Sequence, residues 1–251
     1  MLQGRHALVT GGGTGIGLAI AQALAAQGAQ VTIAGRRADV LDQAAATAPG
    51  LHPLVMDVAD ESSVVDGIAA AVAARGPISI CIPNAGIAEG RALGKTDMDF
   101  WRRMMAINLD GAFLTIRECL PGMRQVGWGR IIAISSIAGI RGLKGAPAYT
   151  ASKHGMIGLV RGLSEDFLGS QITCNAVCPA YTETDIVTSN TVSIAQRAGI
   201  SQDQALNLML SANRHGRLVA PSEVAEAVLW LCGPGSSSLN GQTIEIAGGQ
   251  A

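Results

Sequence analysis

Tyr149 and Lys153 stand four residues apart, so on a helix their side chains leave the same face. A free phenol has a pKa near about 10 and is a poor base at neutral pH. An ammonium beside it stabilises the phenolate, which is what general acid–base catalysis by a tyrosine requires. Ser136 lies thirteen residues before Tyr149, at the end of an apolar run that reads as a buried strand. Open α/β sheets bind their ligands at such carboxyl ends. A Tyr-x-x-x-Lys pair alone is usually a pair of surface neighbours, so its meaning depends on the residues around it.

A second motif supplies that company. Thr10-Gly11-Gly12-Gly13-Thr14-Gly15-Ile16-Gly17 closes the first strand-like run and opens a helix-like one. Glycine allows a tight turn and lets backbone N–H groups approach a pyrophosphate at a helix N-terminus. The spacing, TGxxxGxG, differs from the common GxGxxG dinucleotide fingerprint. Between a strand and a helix it favours a nucleotide site over a plain turn.

The elements that must carry these residues alternate along the chain. Strands are expected at 6–10, 30–34, 51–56, 78–82, 130–135, 172–177 and 243–246, several as continuous apolar runs such as Ile131-Ile132-Ala133-Ile134. Such runs suit strands buried on both faces of a parallel sheet. Helices are expected at 16–26, 38–47, 61–74, 99–123, 149–168 and 221–231, the last opening on Pro221, a suitable first helical residue. This rhythm predicts an α/β fold of the Rossmann-like, doubly wound type, with about seven parallel strands and helices on both faces. No repeat or linker interrupts it, and one domain spanning 1–251 is expected. Segment 180–219 breaks the rhythm, and a stretch that long reads as a substrate loop or lid holding one or two helices.

Composition narrows the function. Net charge is −1 with no basic run, which disfavours nucleic-acid and membrane-surface partners. Five cysteines, Cys81, Cys119, Cys174, Cys178 and Cys232, form no CxxC pair and read as small apolar core residues, so no metal site is expected. No apolar run reaches the length of a membrane span, and the apolar segment near the start begins too early for a signal peptide. A cytoplasmic protein with reduced thiols is the expectation.

Together these residues resemble the short-chain dehydrogenase/reductase family across essentially the whole chain. The matching pieces are residues 10–17, Asp57, Asn84-Ala85-Gly86, Asn108, Ser136, Tyr149 with Lys153, Pro179, Thr184, and the closing Gly241-Gln242 and Gly248-Gly249. The resemblance implies an NAD(P)-dependent oxidoreductase interconverting a ketone and a secondary alcohol. Tyr149 would exchange the proton, Ser136 would hold the substrate oxygen, Lys153 would hold the nicotinamide ribose and depress the Tyr149 pKa, and Asn108 would anchor a relay water. Cofactor contacts would come from Gly11, Gly13, Thr14, Gly15, Ile16, Gly17, Arg36, Arg37, Asp57, Val58, Asn84, Ala85, Gly86, Pro179 and Thr184, besides Tyr149 and Lys153. Two positions depart from the pattern: Pro83 replaces a usual asparagine, and Ala180 a usual glycine. A regulatory protein on the same fold should have lost the Tyr or the Lys, and a sugar-nucleotide epimerase is usually longer.

Within the resemblance, the usual acidic position after the second strand falls on Gly35, and Arg36 and Arg37 follow it. With no carboxylate to repel a 2′-phosphate and arginines to pair with one, NADP is preferred. Thr14 stands where many NADP users carry another basic residue, so NAD stays the alternative. Gly127 and Ser170 stand at the places of two carrier-protein-docking arginines, and Ala88, Ala138 and Ala146 at places that hold the carboxylate of 3-hydroxybutyrate. A small apolar pocket around Ala138, Ile140 and Ala146 points to a 3-oxoacyl thioester or a neutral ketone. Arg141 and Lys144 read first as solvated loop charges, with a coenzyme A phosphate contact as the alternative. His154 reads as a packed or surface residue. Family members are commonly homotetramers, and Phe100, Met104, Phe113, Met156, Ile157 and Leu163 offer apolar surface for such contact, as a tetramer or a dimer.

Overall fold

The computed structural model describes residues 1–250, Arg197 by its backbone alone. Seven strands form one sheet in the order β3-β2-β1-β4-β5-β6-β7. They are β1 His6–Thr10, β2 Gln30–Gly35, β3 Leu51–Val55, β4 Ile78–Ile82, β5 Gly129–Ile134, β6 Ile172–Pro179 and β7 Thr243–Ile246. Every pairing is parallel. The apolar runs explain this: β1, β4, β5 and β6 are buried along their whole length, as strands covered on both faces must be. Edge strand β3 contains Pro53, whose missing N–H is harmless there.

Helices cover both faces. On one side α1 Gly15–Ala26, α2 Ala38–Ala45 and α9 Pro221–Cys232 seal a cluster that includes Ile20, Leu24, Leu41, Val224 and Val228. On the other, α3 Glu61–Arg75, α5 Gly111–Val126 and α6 Pro147–Asp166 seal Val64, Ile68, Ile116, Met156 and Val160. Chain order reverses between β1 and β4, and the crevice at the carboxyl ends of those strands is where open sheets take ligands.

Two differences from the sequence reading bear on the site. The helix expected over 99–123 is two helices, α4 Met98–Met105 and α5, joined by a π-helical turn at Ala106–Asp110. Segment 180–219 holds α7 Asp185–Ala198 and α8 Gln202–Ala212, the latter closed at its start by a Ser201–Gln204 capping box. Most side chains named for subunit contact are turned into the core: Phe100, Met104, Met156 and Ile157 are buried, and only Phe113 is exposed. Leu163 packs partly buried on the core. Phe100 and Met104 of α4 pack against Ala148 of α6, with Ile87, Trp101 and Tyr149 around them, while Met156 and Ile157 lie on the stripe that α6 buries against the sheet.

Candidate active site

The glycine turn is held in shape by its neighbours. The Thr10 hydroxyl accepts from the N–H groups of Asn84 and Ala85, each at 3.0 Å. The Asn84 carboxamide donates back to the carbonyls of Thr10 (2.9 Å) and Gly11 (3.3 Å). Gly11 has φ +64°, and a Cβ there would lie 2.9 Å from that carboxamide nitrogen. A Cβ on Gly17 would collide with the Gly11 carbonyl. Only glycine fits such close backbone approaches. Thr14 precedes α1 without a side-chain cap, and no acidic residue stands in the first turn. The first N–H groups of α1 therefore have no protein anion to face and are suited to a phosphate.

This turn floors a continuous cleft made of two hollows of about 230 and 220 Å³, both lined by Gly11, Thr14, Ala85, Gly86 and Ile87. One end adds Gly13, Arg36, Arg37, Asp57 and Val58; the other adds Gly15, Ile16, Gly17, Asn84, Tyr149, Lys153 and Thr184. Arg36 and Arg37 are exposed at the start of α2 and form no ion pair among the described residues. The Asp57 carboxylate is steadied by the Ala59 N–H at 3.0 Å. Glycine cradle, uncapped helix start and unpaired arginines together fit a phosphorylated dinucleotide. Pro179 differs from the expectation: it is buried as the last residue of β6 and does not line the cleft.

At the end of the cleft lined by Tyr149 and Lys153 stands α6, started by Pro147. The Lys153 ammonium, almost wholly buried, donates to the Ile134 carbonyl at 2.9 Å and lies 6.0 Å from the centre of the Tyr149 ring. Burial lowers its pKa from 10.5 to about 8. Burial also raises the Tyr149 pKa, against which a hydrogen bond with Ser136 works. The depression of Tyr149 expected from Lys153 is thus not what this arrangement provides; the ammonium is committed to a carbonyl of β5, and Ser136 is the group that favours the phenolate. Ser136 itself accepts from the Ala138 N–H at 3.1 Å, which fixes its hydroxyl at the top of β5.

Asn108 sits in the π turn, fully buried. Its carboxamide accepts from the Ile87 N–H at 2.8 Å and donates to the Ile87 carbonyl at 3.0 Å and to the Ser152 hydroxyl at 3.1 Å. Ser152 donates in turn to the Tyr149 carbonyl at 2.8 Å. The side chain is therefore spent on protein groups and not free to anchor a water. Such π turns are often found at functional sites.

Sequence reasoning missed Ser135, Ser152 and Cys178, and gave Thr10, the first residue of the glycine motif, no role of its own. Ser135 donates to the Lys153 carbonyl at 3.2 Å. Burial pushes the Cys178 thiol up to about 11, while the Ser136 N–H, the Lys153 charge and the Ser135 hydroxyl pull it down. It backs the site from β6. Only adjacency to Ser136 marked Ser135, and nothing in the sequence distinguished Cys178 from the other four buried cysteines. His154 is exposed on α6, bonded to the Thr150 carbonyl at 3.0 Å, away from the chemistry. Among the described residues no three His, Cys, Asp or Glu side chains converge as metal ligands, and no helix is long and apolar enough to cross a membrane.

A family model, the short chain dehydrogenase, matches residues 5–194. Over 98% of this chain and 98% of the relative, the sequence is 36% identical to an acetoacetyl-CoA reductase of Rhizobium meliloti. It is 34% identical to a D-beta-hydroxybutyrate dehydrogenase of Cupriavidus necator, covering 99% and 98% of the two chains. Among solved structures, an actinorhodin polyketide ketoreductase with NADPH superposes with a TM-score of 0.94 at 32% identity, covering 99% and 98% of the two chains. A glycine cradle, a buried lysine and a Ser–Tyr pair at the carboxyl edge of a doubly wound sheet agree with that match: the chain belongs to the short-chain dehydrogenase family.

Proposed function

We propose that this protein is an NADP-dependent oxidoreductase in which Tyr149 passes a proton to the oxygen of a ketone as it becomes a secondary alcohol. Its class, an enzyme acting on a CH–OH group, follows from its family and from relatives whose names are those of reductases and dehydrogenases. The observation that carries the residue assignment is the bond between Tyr149 and Ser136 at one end of a cleft whose other end exposes Arg36 and Arg37.

Ser136, with its hydroxyl pinned by the Ala138 N–H, holds the substrate oxygen beside the phenol. Tyr149 keeps its proton through neutral pH because it is half-buried, and that suits it as a general acid. Lys153 supplies a buried positive charge behind both, and in the bound enzyme holds the nicotinamide ribose. A reduced nicotinamide, when bound, supplies the hydride. Gly11, Gly13, Thr14, Gly15, Ile16 and Gly17 receive the pyrophosphate, Arg36 and Arg37 the 2′-phosphate, and Asp57, Val58, Asn84, Ala85 and Gly86 the adenosine half. Thr184, whose methyl packs near Gly15, stands at the nicotinamide end. NADP is favoured by the arginines and by the NADPH-bound ketoreductase that this fold matches; NAD is the alternative.

The substrate proposed is a 3-oxoacyl thioester or another medium-sized neutral ketone. Ala88, Ala138 and Ala146 offer no charge to a small free acid, and acetoacetyl-CoA reductases stand among the relatives. The whole chain would act as one cytoplasmic catalytic domain, closed over its substrate by α7 and α8, and assembled as a tetramer or dimer. Absorbance of the reduced nicotinamide, followed with NADPH and with NADH over a panel of ketones including acetoacetyl-CoA, tests this. Turnover of a ketone with a preference for NADPH is expected. Absence of turnover on every ketone, or a clear preference for NADH, overturns the corresponding part.

A further inference from the structure

Helices α7 and α8 pack closely on each other and touch the other elements only weakly. Val187, Thr191 and Ala195 of α7 and Ala205 and Met209 of α8 are buried, yet none of them belongs to the clusters that cover the sheet. The Thr191 hydroxyl donates to the Val187 carbonyl at 2.8 Å and lies 3.7 Å from the Met209 sulfur. These side chains form a satellite core of their own, of the kind found under long excursions of a chain.

The two ends of this helical hairpin are held together at its base. Tyr181 leads into it from β6, and Val219 leads out of it towards α9. The Val219 N–H donates to the Tyr181 carbonyl and the Glu183 N–H to the Val219 carbonyl, both at 2.9 Å, around a bridge between Thr182 and Val219. Asn213 closes the clamp from inside. It is 2% exposed, and its carboxamide accepts from the Tyr181 N–H at 3.1 Å and donates to the carbonyls of Tyr181 (2.9 Å) and Arg217 (2.7 Å). One side chain, with its bonds all made, thus ties backbone groups of both ends together. The exit is anchored in turn: Arg217 forks onto Glu223 of α9 at 2.6 and 2.7 Å, and Glu223 accepts from the Ala220 N–H at 2.8 Å. Beyond the entry, Thr184, Asp185 and Ile186 stand at the start of α7 and line the cleft beside Tyr149 and Lys153.

We propose that Asn213 is a positioning residue: it locks the two ends of the α7–α8 hairpin, so that the hairpin closes on the cleft as one rigid body and presents Thr184, Asp185 and Ile186 to the ketone at a fixed place. This rests on the ketone-reductase reading and adds to it a residue that lines neither hollow of the cleft. Asn213 acts through Tyr181. With the clamp made, the closed arrangement is the resting state of the hairpin. Without it, the state competent to bind is only fractionally populated, and apparent affinity falls by that fraction. Turnover of bound ketone changes less, because the ligand itself draws the hairpin shut.

Asn213→Ala should therefore raise KM for the ketone about 10- to 100-fold, the scale of one or two lost buried hydrogen bonds, and change kcat by less than about threefold. Asn213→Asp keeps the acceptor for the Tyr181 N–H and loses both donations, and should move KM in the same direction. Adenosine 2′,5′-bisphosphate, which fits the far end of the cleft at Arg36 and Arg37, is the control. Its calorimetric affinity should stay within about twofold, as for sites without shared partners. A purely structural Asn213 would lower the denaturation midpoint and leave KM of the folded protein alone. That result, or bisphosphate affinity falling as far as KM rises, overturns the proposal. Hydrogen exchange on the wild type without ligand stands apart from turnover and from how the variants fold. Amides of α7 and α8 should open with one common free energy, lower than those of α6 and α9. Opening of α8 apart from α7, or only with the whole molecule, overturns the rigid body. Should the wild type reduce no ketone, the reductase reading fails, while exchange still decides the clamp: Asn213→Ala should speed both helices by one factor of about tenfold or more, and an unchanged rate or a rise in one helix alone overturns it.

Discussion

Asn108 and Ile87 are joined as two paired strand residues would be: one carboxamide accepts the Ile87 N–H at 2.8 Å and donates to the Ile87 carbonyl at 3.0 Å. The π turn makes this pairing available, because the extra residue in the turn rotates Asn108 inward from α4 towards the loop after β4. The same carboxamide reaches Ser152, and Ser152 reaches the Tyr149 carbonyl. The loop lining the cleft and the helix bearing the proton donor are thus positioned by one side chain.

Asn108→Ala should therefore cost both stability and turnover. It strips two backbone groups of Ile87 of their partners, at about 1–3 kcal/mol for each group left unpaired in the interior. Denaturant unfolding should show a loss of at least about 2 kcal/mol on that scale. In the protein that remains folded, kcat should fall more than cofactor affinity, because α6 loosens while the glycine turn does not depend on Asn108. An unchanged midpoint would mean the pairing carries no weight.

Tyr149→Phe removes the phenol and leaves its packing. Turnover should drop by at least about 10²-fold, the usual scale for a lost general acid, while cofactor binding followed by nicotinamide fluorescence stays near that of the wild type. Comparable turnover in a folded Tyr149→Phe protein would sink the proton-transfer assignment.

The sheet was legible because its strands are continuous apolar runs: each expected strand overlaps an observed one, from 6–10 to 243–246. The cleft was legible for a different reason, since glycines and a Tyr–Lys pair at fixed spacing have few other uses. What failed to show is what the chain decides in three dimensions. The π turn has no signature, because Ala106 to Asp110 continue an amphipathic pattern that suits an unbroken helix. The apolar residues of α4 and α6 were compatible with a subunit face, but periodicity shows only which side is apolar, not what covers it: Met104 packs against Ala148 of α6, and Met156 joins the cluster under the sheet. The direction of the Tyr149 shift was misread because i, i+4 spacing places two side chains on one face without saying which acceptor the ammonium prefers. Ile134, not Tyr149, holds it.

Arg36 and Arg37 carry the cofactor preference as exposed, unpaired charges. Arg36→Ala should lower kcat/KM for NADPH by about 10- to 100-fold, the range expected for a lost charge-assisted bond to phosphate. NADH should change little, since it has no 2′-phosphate to lose. The ratio of the two values at moderate salt is the measurement. Equal losses with both cofactors would place Arg36 in the fold of the turn and not at the phosphate.

Lys153 should leave a signature in the pH dependence of stability. Its folded pKa is lowered to about 8 against 10.5 for an unburied lysine. Below about 8 the folded and unfolded chains both carry the charge, and the cost of burying it is fully felt. Between about 8 and 10.5 the unfolded chain holds a proton that the folded one has released, so unfolding takes up a proton and rising pH favours the fold. Above 10.5 both are neutral and the cost is gone. Lys153→Met removes the titration, although it leaves the Ile134 carbonyl without its donor. The difference in Tm, wild type minus Lys153→Met, isolates this group from others that titrate in the same range. It should be level below pH 8 and climb from there towards pH 10.5, measured without added nicotinamide. A difference that stays level, or falls, across that window would show that the buried ammonium is already satisfied by its surroundings and that its pKa is not depressed.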